Sequence, residues 1–441
     1  MFGYYFELAL RSLKHNKVLT GLMVLAIAVG IGASMTTLTV MHLLSGDPLP
    51  GKSGSLFYVQ VDPDPTNVSA HKEPPDVMDD RSSLDLWRAR HADRQAPVVD
   101  SPTKVFAPGQ RMPPLMMSML STTADFFGMF DVPFQYGAGW SADDDTRRSR
   151  VAVISADLNN KLFGGANSVG KTLRLRNTDV RIIGVLKPWR PSPLFYTVRG
   201  GRFAHGDTAS FYGKPEDVFV PYESSMEIND GNFYQFTCWN LPKQPGHLTD
   251  SPCEWVALWV QLGDAGKVAA YRRFVADYAA QQKALGRFTH AENTRLRNLM
   301  EWLDYNGVVP SDVHLQTWLA FAFLAICLFN TVGLLLAKFL RRGGEIGVRR
   351  ALGASRGAIF MQFLMEAGVV GLLGGVGGWL LTLAGLWLVR RQPTPYADMV
   401  HLDVAMFATT FALSIMTSLL AGTLPALRAS RVAPALQLKA Q

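Results

Sequence analysis

Apolar residues in this chain gather into four long runs, about Val18 to Leu44, Leu315 to Leu340, Ala358 to Val389 and Val404 to Ala426. Each reaches the ~20 residues that a helix needs to cross ~30 Å of hydrocarbon, so the pattern predicts four transmembrane helices arranged as one plus three. A polar segment from Ser45 to His314 separates the first run from the second, which is not how a soluble enzyme is built. The first run follows a basic start, as a secretory signal would. It is too long for a signal's apolar region, and Met41-His42-Leu43-Leu44-Ser45 offers no small-x-small cleavage site, so it reads as an uncleaved anchor. Gly368, Gly371, Gly374, Gly375, Gly377 and Gly378 interrupt the third run and suit close helix contacts or a kink.

Shorter periodicities fill in the remainder. Phe2, Phe6, Ala9, Leu10 and Leu13 recur at helical spacing, with Glu7, Arg11 and Lys14 on another face, predicting an interfacial amphipathic helix over residues 1–17. The segment between the first two membrane helices reads as mixed α/β. Strands are predicted at Ser55 to Val61 and Trp255 to Leu262, and helices at Gly266 to Leu285 and Ser155 to Phe163. Thr172 to Arg176 and Val180 to Val185 read as a strand pair around Asn177-Thr178-Asp179, and Pro188 to Tyr212 as a long loop. Two lobes are expected, one built from the ends of the segment and one inserted between them. The predicted fold class is therefore an α-helical membrane protein with a large mixed α/β domain between helices one and two. Its divisions are 18–44, 315–340, 358–389 and 404–426 for the spans, 45–314 for the domain, 341–357 and 390–403 for the loops and 427–441 for the tail.

Charge orients this arrangement, because short loops rich in Lys and Arg stay in the cytoplasm. Arg11, Lys14 and Lys17 precede the first span. Lys338, Arg341, Arg342, Arg349, Arg350 and Arg356 border or lie between the second and third, and Arg428, Arg431 and Lys439 follow the fourth, with only Glu7 and Glu345 as acidic neighbours. Both termini and the 341–357 loop are expected inside, and 45–314 outside. The net charge of +7 and pI of about 9.3 follow from that asymmetry, so no nucleic-acid partner is implied. A hydrophobic content of 48% and mean hydropathy of +0.09 fit membrane helices joined to a large polar domain.

Candidate chemistry is sparse. Cys238 and Cys253 lie in the exterior segment, where a disulfide is permitted. A bridge would close a loop of about fifteen residues and stabilise by ~3 kcal/mol in the chain-entropy picture, though spacing alone does not place two Cα atoms within reach. Gly165-Ala166-Asn167-Ser168-Val169-Gly170-Lys171-Thr172 matches the phosphate-loop pattern G-x-x-x-x-G-K-[ST]. A phosphate loop follows a strand and opens a helix, whereas Gly165, Gly170, Lys171 and Thr172 follow a predicted helix, open a predicted strand and lie outside, where ATP is scarce. They read as a glycine turn. No H-E-x-x-H, G-x-S-x-G or C-x-x-C is present, the nine histidines are scattered, and Asp143-Asp144-Asp145 lacks the rest of a calcium loop and reads as a solvated turn. Neither a catalytic site nor a metal is expected in this chain.

The loop Arg341 to Arg356 carries more than topology. Positive-inside charge explains its arginines but not Glu345 or the apolar Ile346, Val348 and Leu352, which suit a helix docking into a partner's groove. Here the sequence resembles the FtsX/MacB family of ABC transporter permeases, of the mechanotransmission type, whose loop reads E-I-G-[IV]-R-[RK]-A-[LI]-G-A. Glu345 to Ala354 follow that pattern, Gln362 to Ala367 extend it, and Gly422 to Ser430 resemble the family's closing motif. Thr122 to Phe127, Val151 to Ser155, Leu162 to Gly165, Val169 to Lys171 and Asp217 to Tyr222 resemble its periplasmic core domain.

The resemblance implies a bacterial inner-membrane permease, itself no enzyme, that pairs with a second permease as a homo- or heterodimer. It also implies that Glu345, Ile346, Gly347, Val348, Arg349, Arg350, Ala351, Leu352 and Gly353 couple to a cytoplasmic ABC ATPase, the partner that holds ATP and Mg²⁺. That ATPase is expected as a separate subunit, since no fused ATPase domain is present. Efflux or extraction of a peptide, antibiotic or lipoprotein through a periplasmic adaptor and outer-membrane channel is the implied activity. An FtsX-like transmitter switching a cell-wall hydrolase is the alternative, which the large exterior segment disfavours.

Overall fold

The computed structural model describes residues 17–67, 73–107, 113–197, 209–244, 246–309, 311–394, 396–400 and 404–430. The amphipathic helix expected over 1–17 lies outside the described residues apart from Lys17, as does the tail beyond 430. The chain divides into two compact units, one of the apolar helices and one spanning Gly46–Val308.

The apolar unit begins with α1, Lys17–Ser45. In the intervening domain, β1 (Leu56–Gln60) is buried along its whole length. It is followed by α2 (Asp80–Arg88), whose N-cap Asp79 accepts from Ser82 N, and by β2 (Arg94–Phe106) and β3 (Leu115–Thr122). Next come α3 (Asp125–Met129), β4 (Phe134–Gly137), α4 (Ala142–Thr146), β5 (Val151–Ile154) and α5 (Ala156–Phe163). The hairpin β6 (Thr172–Leu175) and β7 (Thr178–Leu186) leads to β8 (Val218–Pro221) and α6 (Tyr222–Ile228). The domain ends with β9 (Thr237–Cys238), β10 (Cys253–Glu254), β11 (Ala257–Gln261), α7 (Ala265–Ala284), β12 (Arg295–Asn298) and α8 (Leu299–Tyr305).

Two lobes share the long strand β2. Its first half pairs antiparallel with β11, from Arg94↔Gln261 to Val98↔Ala257, and β1 lies between β11 and β12. This split lobe buries Phe57, Val59, Leu258 and Val260 against Tyr271, Val275 and Ala279 of α7. On the opposite side of the sheet, Tyr58 stacks on Trp302 at 3.8 Å between ring centroids. The second half of β2 pairs with β3, from Val99↔Ser121 to Val105↔Leu115. From there the pairing runs β3-β8-β5-β7, and β6 pairs with both β7 and β2. The six strands β2, β3, β8, β5, β7 and β6 thus close a ring, which leaves these strands no bare edge. Alternate residues of β6 and β7 point inward, and the ring is filled by Val105, Met119, Ala152, Ile154, Leu173, Leu175, Val180, Ile182, Val218 and Val220. Burying a side chain of this size contributes about 1.5–3 kcal/mol.

Three local expectations are corrected. The hairpin turn is tighter than Asn177-Thr178-Asp179, because Leu175 pairs with Thr178 and only Arg176, at φ 50°, and Asn177 remain as loop. Asp143-Asp144-Asp145 is no solvated turn: it forms α4, with Ser141 and Asp144 in a capping box. Asp145 is buried there, accepting from Ala124 N at 2.8 Å and Trp140 Nε1 at 2.7 Å. Where it is described, the loop expected from Pro188 to Tyr212 is packed, with Leu194, Phe195 and Tyr196 buried and Trp259 Nε1 donating to Tyr196 O. Cys238 and Cys253 face each other across β9 and β10 and are disulfide-bonded.

The apolar unit resumes with α9 (Ser311–Arg341), α10 (Gly343–Ala351), α11 (Arg356–Val389) and α12 (Val404–Ser430). Helices α1, α9, α11 and α12 are each long and apolar enough to cross a membrane. The glycines of α11 serve close packing. A Cβ on Gly374 or Gly378 would fall 2.6 or 2.7 Å from the side chains of Ile27 and Ile31 in α1, so only a bare backbone allows this approach. On another side, Ser414 of α12 donates to Gly371 O at 2.6 Å. Helix α12 runs through Pro425 to Ser430, past the expected end at Ala426.

Candidate functional site

The predicted coupling residues fall on α10 and the turn after it. Glu345 sits in the first turn of this helix and Arg349 and Arg350 in the last, an order that complements the helix dipole. Its C-terminus closes through Leu352 N to Val348 O, Gly353 N to Arg350 O and Ala354 N to Arg349 O. Gly353 adopts φ 97°, a left-handed geometry that glycine enters without penalty. Two residues on, Ser355 caps α11 by accepting from Ala358 N at 3.2 Å. The two helices are therefore joined with almost no slack.

The helix has two unlike faces. Gly343, Ile346 and Gly347 are buried, and Ile346 packs into a core with Phe339, Ile359 and Phe363. Val348, at 51% exposure, and Leu352, at 83%, point outward together with Gly344 and Ala351. Of the three apolar residues expected to serve docking, Ile346 is buried within the helix unit, whereas Val348 and Leu352 form, with Ala351, an outward apolar stripe.

A chain of charges ties α10 to its neighbours. Glu345 accepts from Arg342 Nε at 2.9 Å and pairs with Arg349 Nη2 at 2.8 Å. Arg342 reaches Glu366 of α11 at 3.3 Å, and Arg349 donates to Gln362 Oε1 at 2.8 Å. Glu366, 1% exposed, also pairs with Lys338 of α9, whose side chain is wholly buried. Charges taken out of water are tolerable only when matched in this way. In the sequence Lys338 stands only among the cations that border the second span. The signal for its partnership was a carboxylate at Glu366 inside an apolar run, which needs a partner or water.

The glycine segment 165–172 lies elsewhere, in the intervening domain. Helix α5 ends before it with Gly164 at φ 63°, and β6 begins at Thr172. Gly165 and Gly170 are both left-handed. Lys171 Nζ lies 4.8 Å from the centroid of the Phe163 ring. No helix opens after the glycines, so their amides have no dipole behind them to hold a phosphate. Among the described residues no cluster of His, Cys, Asp and Glu could hold a metal ion.

Comparison with known proteins agrees with this layout. The MacB-like periplasmic core domain matches residues 20–273, and the FtsX-like permease C-terminal domain matches residues 318–434. The macrolide export ATP-binding/permease protein MacB of Marinobacter nauticus is 26% identical over 309 residues, which make up 68% of this chain and 40% of that protein. Its namesake from Azoarcus sp. is 25% identical over 316 residues, 70% of this chain and 40% of that one. The chain therefore spans 40% of the length of each of these relatives. The crystal structure of the periplasmic region of MacB from Actinobacillus actinomycetemcomitans aligns with 57% of this chain and 93% of its own, at 12% identity and a TM-score of 0.35. With the periplasmic core match alone taking in more than half of the sequence and the permease match covering the last helices, this chain belongs to the MacB/FtsX family of ABC transporter permeases.

Proposed function

We propose that the chain is the membrane subunit of an efflux or extraction transporter in the bacterial cytoplasmic membrane, and that α10 receives motion from an ABC ATPase. Both termini and α10 face the cytoplasm in this reading, with the intervening domain outside. The ATP and Mg²⁺ belong to the ATPase, and this chain is no enzyme. The carrying observation is the two-faced geometry of α10: Val348 and Leu352 stand exposed on one side, and on the other the helix is bound through Arg342, Glu345 and Glu366 to α9 and α11. A helix so held passes a push on to the spans rather than absorbing it. Two copies of the permease would flank two ATPase sites, and the cargo would be a peptide, antibiotic or lipoprotein handed to a periplasmic adaptor and an outer-membrane channel.

The test is Leu352→Asp. Leu352 is 83% exposed, so the change leaves the apolar unit intact while placing a charge in the docking stripe. Expected is a loss of co-purifying ATPase of about tenfold, equivalent to ~1.4 kcal/mol of binding. Unchanged recovery of the ATPase, with unchanged ATP turnover, would remove α10 from the docking role.

A further inference from the structure

Between the split lobe and the inserted lobe lies a cavity of about 280 Å³, walled by Trp87, Arg88 and Arg90 on one side and by Asp145, Arg148 and Glu223 on the other. Glu223 bridges the lobes. Its Oε1 lies 2.7 Å from Arg88 Nη2 and its Oε2 2.9 Å from Arg148 Nη2. Asp145 has both oxygens occupied by Ala124 N and Trp140 Nε1. Among the described residues no carboxylate pairs with Arg90, whose guanidinium carbon lies 5.9 Å from the Trp87 ring centroid. Three arginines thus face two carboxylates, and the cavity keeps a positive surplus.

Two of these arginines occupy positions where the backbone favours another residue. Arg90 follows the C-cap of α2 and Arg148 follows the C-cap of α4, at φ 51° and 52°. Glycine is the usual occupant of that left-handed position. A cation at a helix C-terminus does complement the dipole, which accounts for each arginine singly. It does not account for both helix ends opening on one cavity beside a half-buried indole.

We propose that this cleft binds a small soluble organic anion, one with a carboxylate or phosphate group next to a flat apolar moiety. Guanidinium groups hold oxyanions through paired, charge-assisted hydrogen bonds, and the Trp87 indole offers the flat moiety an apolar face. Glu223 acts as the internal competitor, occupying Arg88 and Arg148 until the incoming oxyanion displaces it. The site goes beyond ATPase docking and does not depend on it, since every residue involved belongs to the intervening domain.

The experiment is calorimetric titration of the full chain, in phosphate-free detergent, with phenyl phosphate and with inorganic phosphate. Expected is saturable binding of phenyl phosphate, severalfold tighter than inorganic phosphate. Arg90→Gly with Arg148→Gly should weaken it about tenfold or more, as loss of charge-assisted bonds does. The same pair should leave the unfolding midpoint equal or higher, because glycine suits both backbone positions. Glu223→Gln should tighten binding by freeing two guanidinium groups. Absence of saturable heat at millimolar probe, equal affinity in the double glycine variant, or weaker binding by Glu223→Gln would each overturn the proposal.

Discussion

Glu366 and Glu223 each bridge two cations, and their surroundings make them opposites. Glu366 holds Lys338 and Arg342 within the helix unit, where glutamate and lysine side chains are both sealed from solvent. Glu223 holds Arg88 and Arg148 at the cleft of the intervening domain, where the arginine side chains are 58% and 68% exposed. The drawing of contacts is nearly the same in both places. In the first, each partner is the condition for the other's burial, so loss of one strands a charge in a low-dielectric interior. In the second, water and salt stand ready to replace any partner, so the bridge can open and close at little cost. The first arrangement suits a joint, and the second suits a latch.

The largest effect that would separate them is expected from Glu366→Leu. It leaves Lys338 buried without its carboxylate and should destabilise the helix unit by about 3–5 kcal/mol, read as a lower unfolding midpoint in detergent. Adding Lys338→Met should recover most of the loss, because a well-packed apolar pair replaces the ions. If the single variant is as stable as the parent, Glu366 is no joint.

A smaller effect comes from pH. Burial, the dominant cause, pushes the carboxyl of Asp80, which accepts a hydrogen bond from Tyr222, up to about 6. Burial does the same for Asp145, also to about 6. Both lie above the ordinary value of 3.8, so the folded state holds the protons more tightly than the unfolded state does. The resulting stabilisation is complete below about pH 3.8 and lost as pH rises through about 6. Acidifying from pH 7 to pH 5 should therefore stabilise the intervening domain by about 1 kcal/mol per group, and Asp80→Asn should remove its share of that slope. A slope identical in the Asn variant would show that Asp80 does not titrate in this window.

The smallest effect is expected at the latch itself. Glu223→Gln should change stability by less than about 1 kcal/mol, and by less still at high salt. A loss rivalling that of Glu366→Leu would erase the distinction between the two bridges.

Much of this molecule was legible in the sequence because its strongest signals are long and local. Four apolar runs became α1, α9, α11 and α12, and the mismatch between a phosphate-loop pattern and its helix-then-strand setting was readable from hydrophobic periodicity alone. The arginines and Glu345 of the 341–357 loop marked α10. The inward turn of Ile346 was hidden, because which face of a nine-residue helix is buried depends on Phe339 and Phe363 arriving from two other helices. Asp145 escaped for a similar reason: three consecutive aspartates look solvated until Trp140 and the amide of Ala124 close over one of them. The bridge of Arg88 and Arg148 carries no sequence signature, since the two meet Glu223 only once the domain has folded. Nor does the sequence display the ring of strands, whose closure depends on β6 touching β2 at Val105 and Phe106.

The placement of β1 has a consequence for how the domain comes into being. Its neighbours on both sides, β11 and β12, come from the far end of the domain, so that Leu56 waits for Gln261 and Gln60 for Arg295. A chain threaded across the membrane from its N-terminal end delivers β1 with two open flanks, then the complete set of ring strands, and only at last the segments that cover it. The inserted lobe can mature while the split lobe cannot, and non-local pairing of this kind is slow. Any arrest of export between the two lobes would leave a bare apolar strand tethered at the membrane, an adhesive end that a neighbouring copy or a chaperone would reach first.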